Sequence, residues 1–238
     1  MEETYATKAI ILNRIPWRED DIKVSLYSVD QGRLELIARG ARKMKSKLAG
    51  HIEPISLVKV MIVRGKQLDY LGSAINEDGY LSIKNDLAKL AIAGQAINVF
   101  NRLIKPAETD KELFNYLRDF LNFIDELKII KHQLWPDFFI LKLLDKLGYR
   151  PELHNCLGCS KKITPQGNQF DLNRGGLICK NCVPVDKLNI LTISDNNIKI
   201  LREVINNDFE KLNNLEIDKQ LVKEIKKIIG SFYQFYLE

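Results

Sequence analysis

The cysteines constrain this chain most. There are four, and they stand in two pairs, Cys156-Leu157-Gly158-Cys159 and Cys179-Lys180-Asn181-Cys182, with nineteen residues between the pairs. That spacing lies within the window for a four-thiolate zinc site. Two thiolates separated by two residues grip one ion only if the chain between them turns in a tight knuckle. Gly158 and Asn181 precede the second cysteine of each pair, and both are types that tolerate positive φ, so they are expected to make that turn. Between the pairs, Phe170 to Ile178 reads as a hairpin about Gly175-Gly176 that returns the second pair to the first. Such a site is structural, because four thiolates leave no open position for water or substrate. A redox thiol pair, disulfide chemistry and an empty site in a fold that stands without metal are the competing readings. The first would stand beside a βαβ unit, which the pattern lacks, and the second belongs in an oxidising compartment. His154 is expected to be a bystander.

The first eighty residues read as strands. Lys8 to Leu12 is an apolar run of strand length, and Ile22 to Leu26 alternates with period two. Asp30-Gln31-Gly32 turns into Arg33 to Ala38, which predicts a hairpin. Leu57 to Val63 is rich in β-branched residues, and the Arg64-Gly65-Lys66 turn leads to Leu68 to Leu71. Five short strands, with one long connection between the third and fourth, fit a small barrel of OB type. An SH3-like barrel would show nearly the same pattern.

From about Ser82 the period becomes helical. Leu87 to Leu103 forms one stripe with Pro106 beyond its end, and Thr109-Asp110-Lys111-Glu112 is a capping-box signature with Thr109 as the cap. It opens a stripe from Leu113 to Leu127; another runs from Trp135 to Leu147, with Gly148 placed to end it in a left-handed conformation. Ser194 is placed to cap a helix through Ile198 and Val204, and a last helix carries Ile217 to Phe232. These stripes are core. The fold class expected is α+β and multidomain: an OB-like barrel over 1–80, a helical domain begun over 81–155 and resumed over 185–238, and an inserted zinc-binding module over 156–184.

Charge is concentrated. The chain carries a formal +5, a weak hint of a polyanion partner by itself. Between Arg39 and Lys66, however, Arg39, Arg42, Lys43, Lys45, Lys47, Lys59, Arg64 and Lys66 face only Glu53, a local charge of +7. The loop Gly40 to Lys47 contains no acid to pair with. Arg39, Arg42, Lys43, Lys45 and Lys47 are therefore the candidate DNA-binding cations. Five such contacts give a salt slope of about −3.5 on a single strand. OB barrels add stacking aromatics; Tyr27 is the candidate, with Tyr70 and Trp17 also available.

No catalytic constellation is visible. The chain lacks the Gly-x-x-x-x-Gly-Lys-Ser/Thr phosphate loop, and its three histidines (His51, His132 and His154) show no nucleophile beside them. Asp20 and Asp21 would face opposite sides of a strand and could not share a metal. The reading is a non-enzyme. The acidic start lacks the layout of a signal peptide, and no apolar run approaches membrane length, so a cytoplasmic location is expected.

In combination the chain resembles the RecO family. The resemblance is carried by Thr7 to Leu12, Asp20 to Ser28, Gln31 to Leu34, Ala38 to Pro54, and Lys142 to Pro151 followed by Cys156 to Cys159. It implies a mediator of recombinational repair in the RecFOR pathway, working at the nucleoid. Such a protein binds single- and double-stranded DNA, anneals complementary strands coated by single-stranded DNA-binding protein (SSB), and with RecR assists RecA loading. It also implies that the acidic C-terminal tail of SSB docks on the helical part, where Arg102, Arg118 and Lys142 lie near apolar stripes, and that RecR contacts the barrel. Some members lack the cysteines, so zinc would be scaffold. The alternatives are an RNA-binding barrel and zinc module of the ribosome or transcription apparatus, and an accessory domain of a nucleotidyl transferase or nuclease.

Overall fold

A computed structural model describes residues 3–106, 109–131, 133–186 and 188–236; His132 lies outside them. The chain forms two compact units, Met1–Leu127 and Lys128–Glu238.

The first unit opens with five strands: β1 (Thr4–Trp17), β2 (Asp21–Ser28), β3 (Gly32–Ala38), β4 (Ser56–Val63) and β5 (Tyr70–Asp78). Their order around the sheet is β1-β2-β3-β5-β4, with β4 returning to β1. The β3–β5 seam is parallel and consists of one bridge, Ile37 with Tyr70, supported by Ile37 N–H donating to the Asp69 carbonyl at 3.0 Å. A crossover between β3 and β4 with a parallel seam is the OB arrangement and not the SH3-like one. Alternation supplies the interior: Val24, Leu26, Leu36, Ala38, Val58, Val60 and Ile62 point into one cluster.

β1 is the exception to alternation. Ala9 and Ile11 join the barrel cluster, yet Ile10 and Leu12 are equally buried. The outward pair lies under the helix that follows the barrel, which is why Lys8 to Leu12 reads as an unbroken apolar run. β1 is also longer than the run suggested, because a register shift between Ile11 and Asn13 lets its first half pair with β4 and its second with β2.

Three helices complete this unit: α1 (Leu81–Lys84), α2 (Leu87–Leu103) and α3 (Lys111–Glu126). The strand-to-helix change near residue 80 is thus not where the compact units divide. The Asp86 carboxylate caps α2 by accepting from the N–H groups of Ala88 and Lys89. The cap of α3 is Asp110, one residue later than the expected Thr109; its carboxylate accepts from Glu112 N–H at 2.7 Å and Leu113 N–H at 3.3 Å. That shift puts Glu112 too early to complete a reciprocal box. Lys89 is buried on α2, and its ammonium donates to Ser82 Oγ at 2.7 Å and to the Asp125 carbonyl at 2.8 Å, tying the three helices together.

The second unit packs α4 (Trp135–Lys146), α5 (Asp195–Asn206) and α7 (Lys219–Phe235) against one another, with the short α6 (Phe209–Leu212) between the last two in sequence. Gly148, at φ +89°, ends α4 as expected. Tyr149 N–H donates to the Leu144 carbonyl and Gly148 N–H to that of Asp145, the Schellman closure that only a left-handed residue permits. Ser194 caps α5. A small sheet of β6 (Gln169–Asp171), β7 (Gly176–Ile178) and β8 (Ile190–Thr192) runs in the order β7-β6-β8. Phe170 of β6 meets Phe232 of α7 edge-to-face at 5.4 Å, so the cysteine-bearing segment is seated on the helices through an aromatic pair.

Candidate metal centre and nucleic-acid interface

The β6–β7 hairpin brings the two cysteine pairs together. Glu152 N–H donates to the Gly175 carbonyl, and Leu177 bonds to both sides of the same junction: its N–H donates to the Glu152 carbonyl and its carbonyl accepts from Leu157 N–H. Gly176 allows this approach, since a Cβ there would lie 2.6 Å from the Glu152 carbonyl oxygen. The sulfurs of Cys156, Cys159, Cys179 and Cys182 all fall within 4.8 Å of one another, and Cys159 Sγ and Cys179 Sγ are 4.0 Å apart. A tetrahedral ion with metal–sulfur bonds of about 2.3 Å has sulfur–sulfur edges of about 3.8 Å. The four thiols could therefore hold one metal ion. His154 is not among the converging groups.

The knuckles differ from expectation in one respect. Neither Gly158 nor Asn181 has positive φ; in the first knuckle the left-handed residue is Ser160, at φ +58°. Gly158 is needed for space instead: a Cβ there would lie 2.7 Å from the Cys182 Cβ and 3.0 Å from its sulfur. Its N–H, and that of Cys179, donate to Cys156 Sγ at 3.3 Å each. Burial alone would raise the Cys156 thiol, but the N–H groups of Cys179, Cys159 and Gly158 outweigh it and bring it down to about 6. The sulfurs of Cys179 and Cys159 push the Cys182 thiol up to about 12. Four sulfurs this close cannot all be thiolates unless a cation sits among them, and the donor set suits one.

The basic loop is fastened at its start to the β1–β2 turn. Gly40 N–H donates to the Asp21 carboxylate at 2.8 Å, Arg42 N–H to the Asp20 carbonyl at 2.9 Å, and the Arg42 guanidinium to the Glu19 carbonyl at 2.9 Å. Lys43 forms an ion pair with Asp20 at 3.4 Å, a partner that the loop's own sequence does not contain. Both groups are well exposed, and such pairs contribute about 0–1 kcal/mol. Arg39, Arg42, Lys43, Lys45 and Lys47 are all exposed. Of the five, only Lys43 meets a carboxylate among the described residues.

Tyr27 cannot serve as a stacking residue. It points to the outer face of β2, but it is 0% exposed because the C-terminal end of α2 covers it there. Its ring meets Phe100 edge-to-face at 5.0 Å and its hydroxyl donates to the Asp110 carbonyl at 3.2 Å. On the same face, Ser25 Oγ donates to Asn101 and the Arg33 guanidinium to the Ile104 carbonyl. Replacing Tyr27→Phe is expected to cost about 0.5–1.5 kcal/mol of stability in denaturant unfolding, with DNA affinity unchanged. A loss of affinity without a loss of stability would contradict its role as a packing residue. Trp17 is the aromatic left at the loop: it ends β1, is 36% exposed, and has the Lys23 ammonium 5.7 Å from its ring centroid.

The cations considered for the helices have separate surroundings, each within its own unit. Lys142 donates to the Val204 and Asn207 carbonyls, closing the C-terminal end of α5; Arg118 pairs with the adjacent Asp119 at 2.9 Å; Arg102 is exposed.

The family model described as Recombination protein O N terminal matches residues 1–78, and the one described as Recombination protein O C terminal matches residues 84–238. The chain belongs to the RecO family. Relatives in that family include three proteins named DNA repair protein RecO. The one from Dehalococcoides mccartyi strain CBDB1 is 30% identical over 98% of this chain and 91% of its own length. That from Roseiflexus sp. RS-1 is 31% identical over 100% of this chain and 82% of its own. That from Desulforamulus reducens is 28% identical over 98% and 90%. The N-terminal RecO match ends with β5, and the C-terminal match takes in α2 and α3, which here belong to the same compact unit as the barrel. No helix among the described residues of this RecO chain is long and apolar enough to cross a membrane.

Proposed function

We propose that this RecO-family protein serves DNA repair and recombination as a non-enzymatic mediator that binds single- and double-stranded DNA and anneals strands coated by SSB. The observation that carries the reading is the loop from Arg39 to Lys47: five exposed cations, on a loop fastened at its start to the β1–β2 turn by the backbone N–H groups of Gly40 and Arg42, with one weak ion pair among them. Two strands approaching one another are held apart by phosphate repulsion. A fixed row of cations lowers that barrier by replacing condensed counterions, and no covalent bond changes. Trp17, at the foot of the loop, takes the stacking role that Tyr27 cannot.

The four cysteines would hold one structural zinc, which supplies a cross-link between the two knuckles and leaves no coordination position for a reactant. Work at the nucleoid in the cytoplasm, contact with RecR, docking of the SSB C-terminal tail, and through them assistance to RecA loading complete the reading; family membership supports these partners.

Trp17 offers a direct test. The chain has two tryptophans, and Trp135 is fully buried, so quenching by an added oligonucleotide reports Trp17. Oligothymidylate is expected to quench the emission, and Trp17→Phe to abolish that quenching. Trp17→Ala should weaken binding by about fivefold or more, the lower end for loss of one stacked base. Binding with no change in emission would remove Trp17 from the interface.

A further inference from the structure

The turn between β4 and β5 bounds a cleft that the loop does not fill. Arg64, Lys66 and Gln67 line it from the turn, Arg39 and Tyr70 from the β3–β5 seam, and its volume is about 810 Å³. The Arg39 guanidinium lies over the Tyr70 ring, 3.6 Å from its centroid. Tyr70 is the residue whose backbone forms the seam, so this stack is anchored in the barrel. Gly65 lets the turn lie against it: a Cβ there would fall 2.0 Å from the Leu68 carbonyl oxygen and 2.8 Å from the Tyr70 ring. The turn is further held by Gly65 N–H donating to the Asp69 carboxylate at 3.1 Å. Against three cations stands, among the described residues lining the cleft, one acid, Glu3, which meets Arg64 at 3.6 Å with both side chains at least half exposed. That pair is weak enough for an anion to displace.

A planar stack with an open outer face, flanked by two further cations, matches a nucleotide: the ring packs on the guanidinium plane and phosphate meets the remaining charges. We infer that this cleft binds one nucleotide unit, with the base on the Arg39–Tyr70 stack and the adjoining phosphates on Arg64 and Lys66. The inference deepens the proposed function and rests on it, because Arg39 belongs both to the basic loop and to the cleft. That continuity favours a unit within a single strand over a free nucleotide. A duplex cannot present an unstacked base there.

The test compares two variants with the loop variant described below, measuring affinity for oligothymidylate against salt concentration, with thymidine monophosphate as the second ligand. Arg64→Ser/Lys66→Ser removes two phosphate contacts. It should make the salt slope shallower by about 1.4 and weaken strand binding roughly twentyfold at about 0.1 M salt. Arg39→Lys keeps the charge and loses the planar stack; it should leave the slope unchanged and weaken binding by about fivefold or more. Tight binding of the oligonucleotide with weak binding of the monophosphate identifies the strand as the source, and comparable affinities identify a free nucleotide. If both cleft variants bind like the parent while the loop variant is impaired, the cleft lies off the path and the inference falls alone. If all three bind like the parent, the proposed function falls with it.

Discussion

Changing Arg42, Lys43, Lys45 and Lys47 together to glutamate is expected to lower affinity for single-stranded DNA by roughly 500-fold or more at about 0.1 M salt, and to abolish annealing of complementary strands. The magnitude follows from counterion release: four phosphate contacts at about 0.7 each give about 2.8 decades before the added repulsion of the new carboxylates. The salt slope should become shallower by about 2.8, the share of the four cations removed. All four side chains are exposed; the variant gives up the Arg42 guanidinium bond to the Glu19 carbonyl but keeps the backbone N–H bonds of Gly40 and Arg42 to the β1–β2 turn. Thermal unfolding should therefore move little, which separates lost contact from lost fold. Fluorescence annealing by the variant at the parent's rate would take the loop out of the mechanism.

Removing the proposed zinc is expected to have the larger effect on structure. Structural zinc contributes about 10–16 kcal/mol of apparent binding free energy in small modules, and that energy is folding energy. Cys156→Ser strikes the sulfur that accepts from both Gly158 and Cys179. Metal content should drop from about one ion per chain to none, and limited proteolysis should begin to cut between the pairs. A chelator should reproduce both results in the parent protein, and more readily as pH falls, because protons then compete for the thiolates. A variant free of metal yet as protease-resistant as the parent would mean that the β6–β7 hairpin and the Phe170–Phe232 contact suffice to hold the segment.

What could be read in the sequence, and what could not, divides along a physical line. Local signals translated well: Gly148 ends α4, Ser194 caps α5, and the cysteine spacing brings four sulfurs together. Each depends on a few neighbouring residues. The misreadings depend on what comes from far away. Tyr27 has the correct parity on β2, but the helix that buries it begins some sixty residues later. Lys43 has no acid in its own loop, yet Asp20 reaches it from the preceding turn. Gly158 looked like a conformational glycine and is a spatial one, because Cys182 arrives from the other pair. At Thr109-Asp110 two good capping types stand side by side, and the pattern does not choose between them. The Arg39–Tyr70 stack is likewise invisible in sequence, being made across the one parallel bridge of the barrel.

The end of α2 laid over β2 has a consequence for the proposed handling of DNA. Many OB proteins cradle a strand along that trough and hide its bases from other molecules. Here Phe100 and Asn101 already occupy the trough, so the proposed DNA binding falls to the rim. A strand gripped there by its phosphates keeps most of its Watson–Crick edges turned outward, ready for a complement to zip onto them.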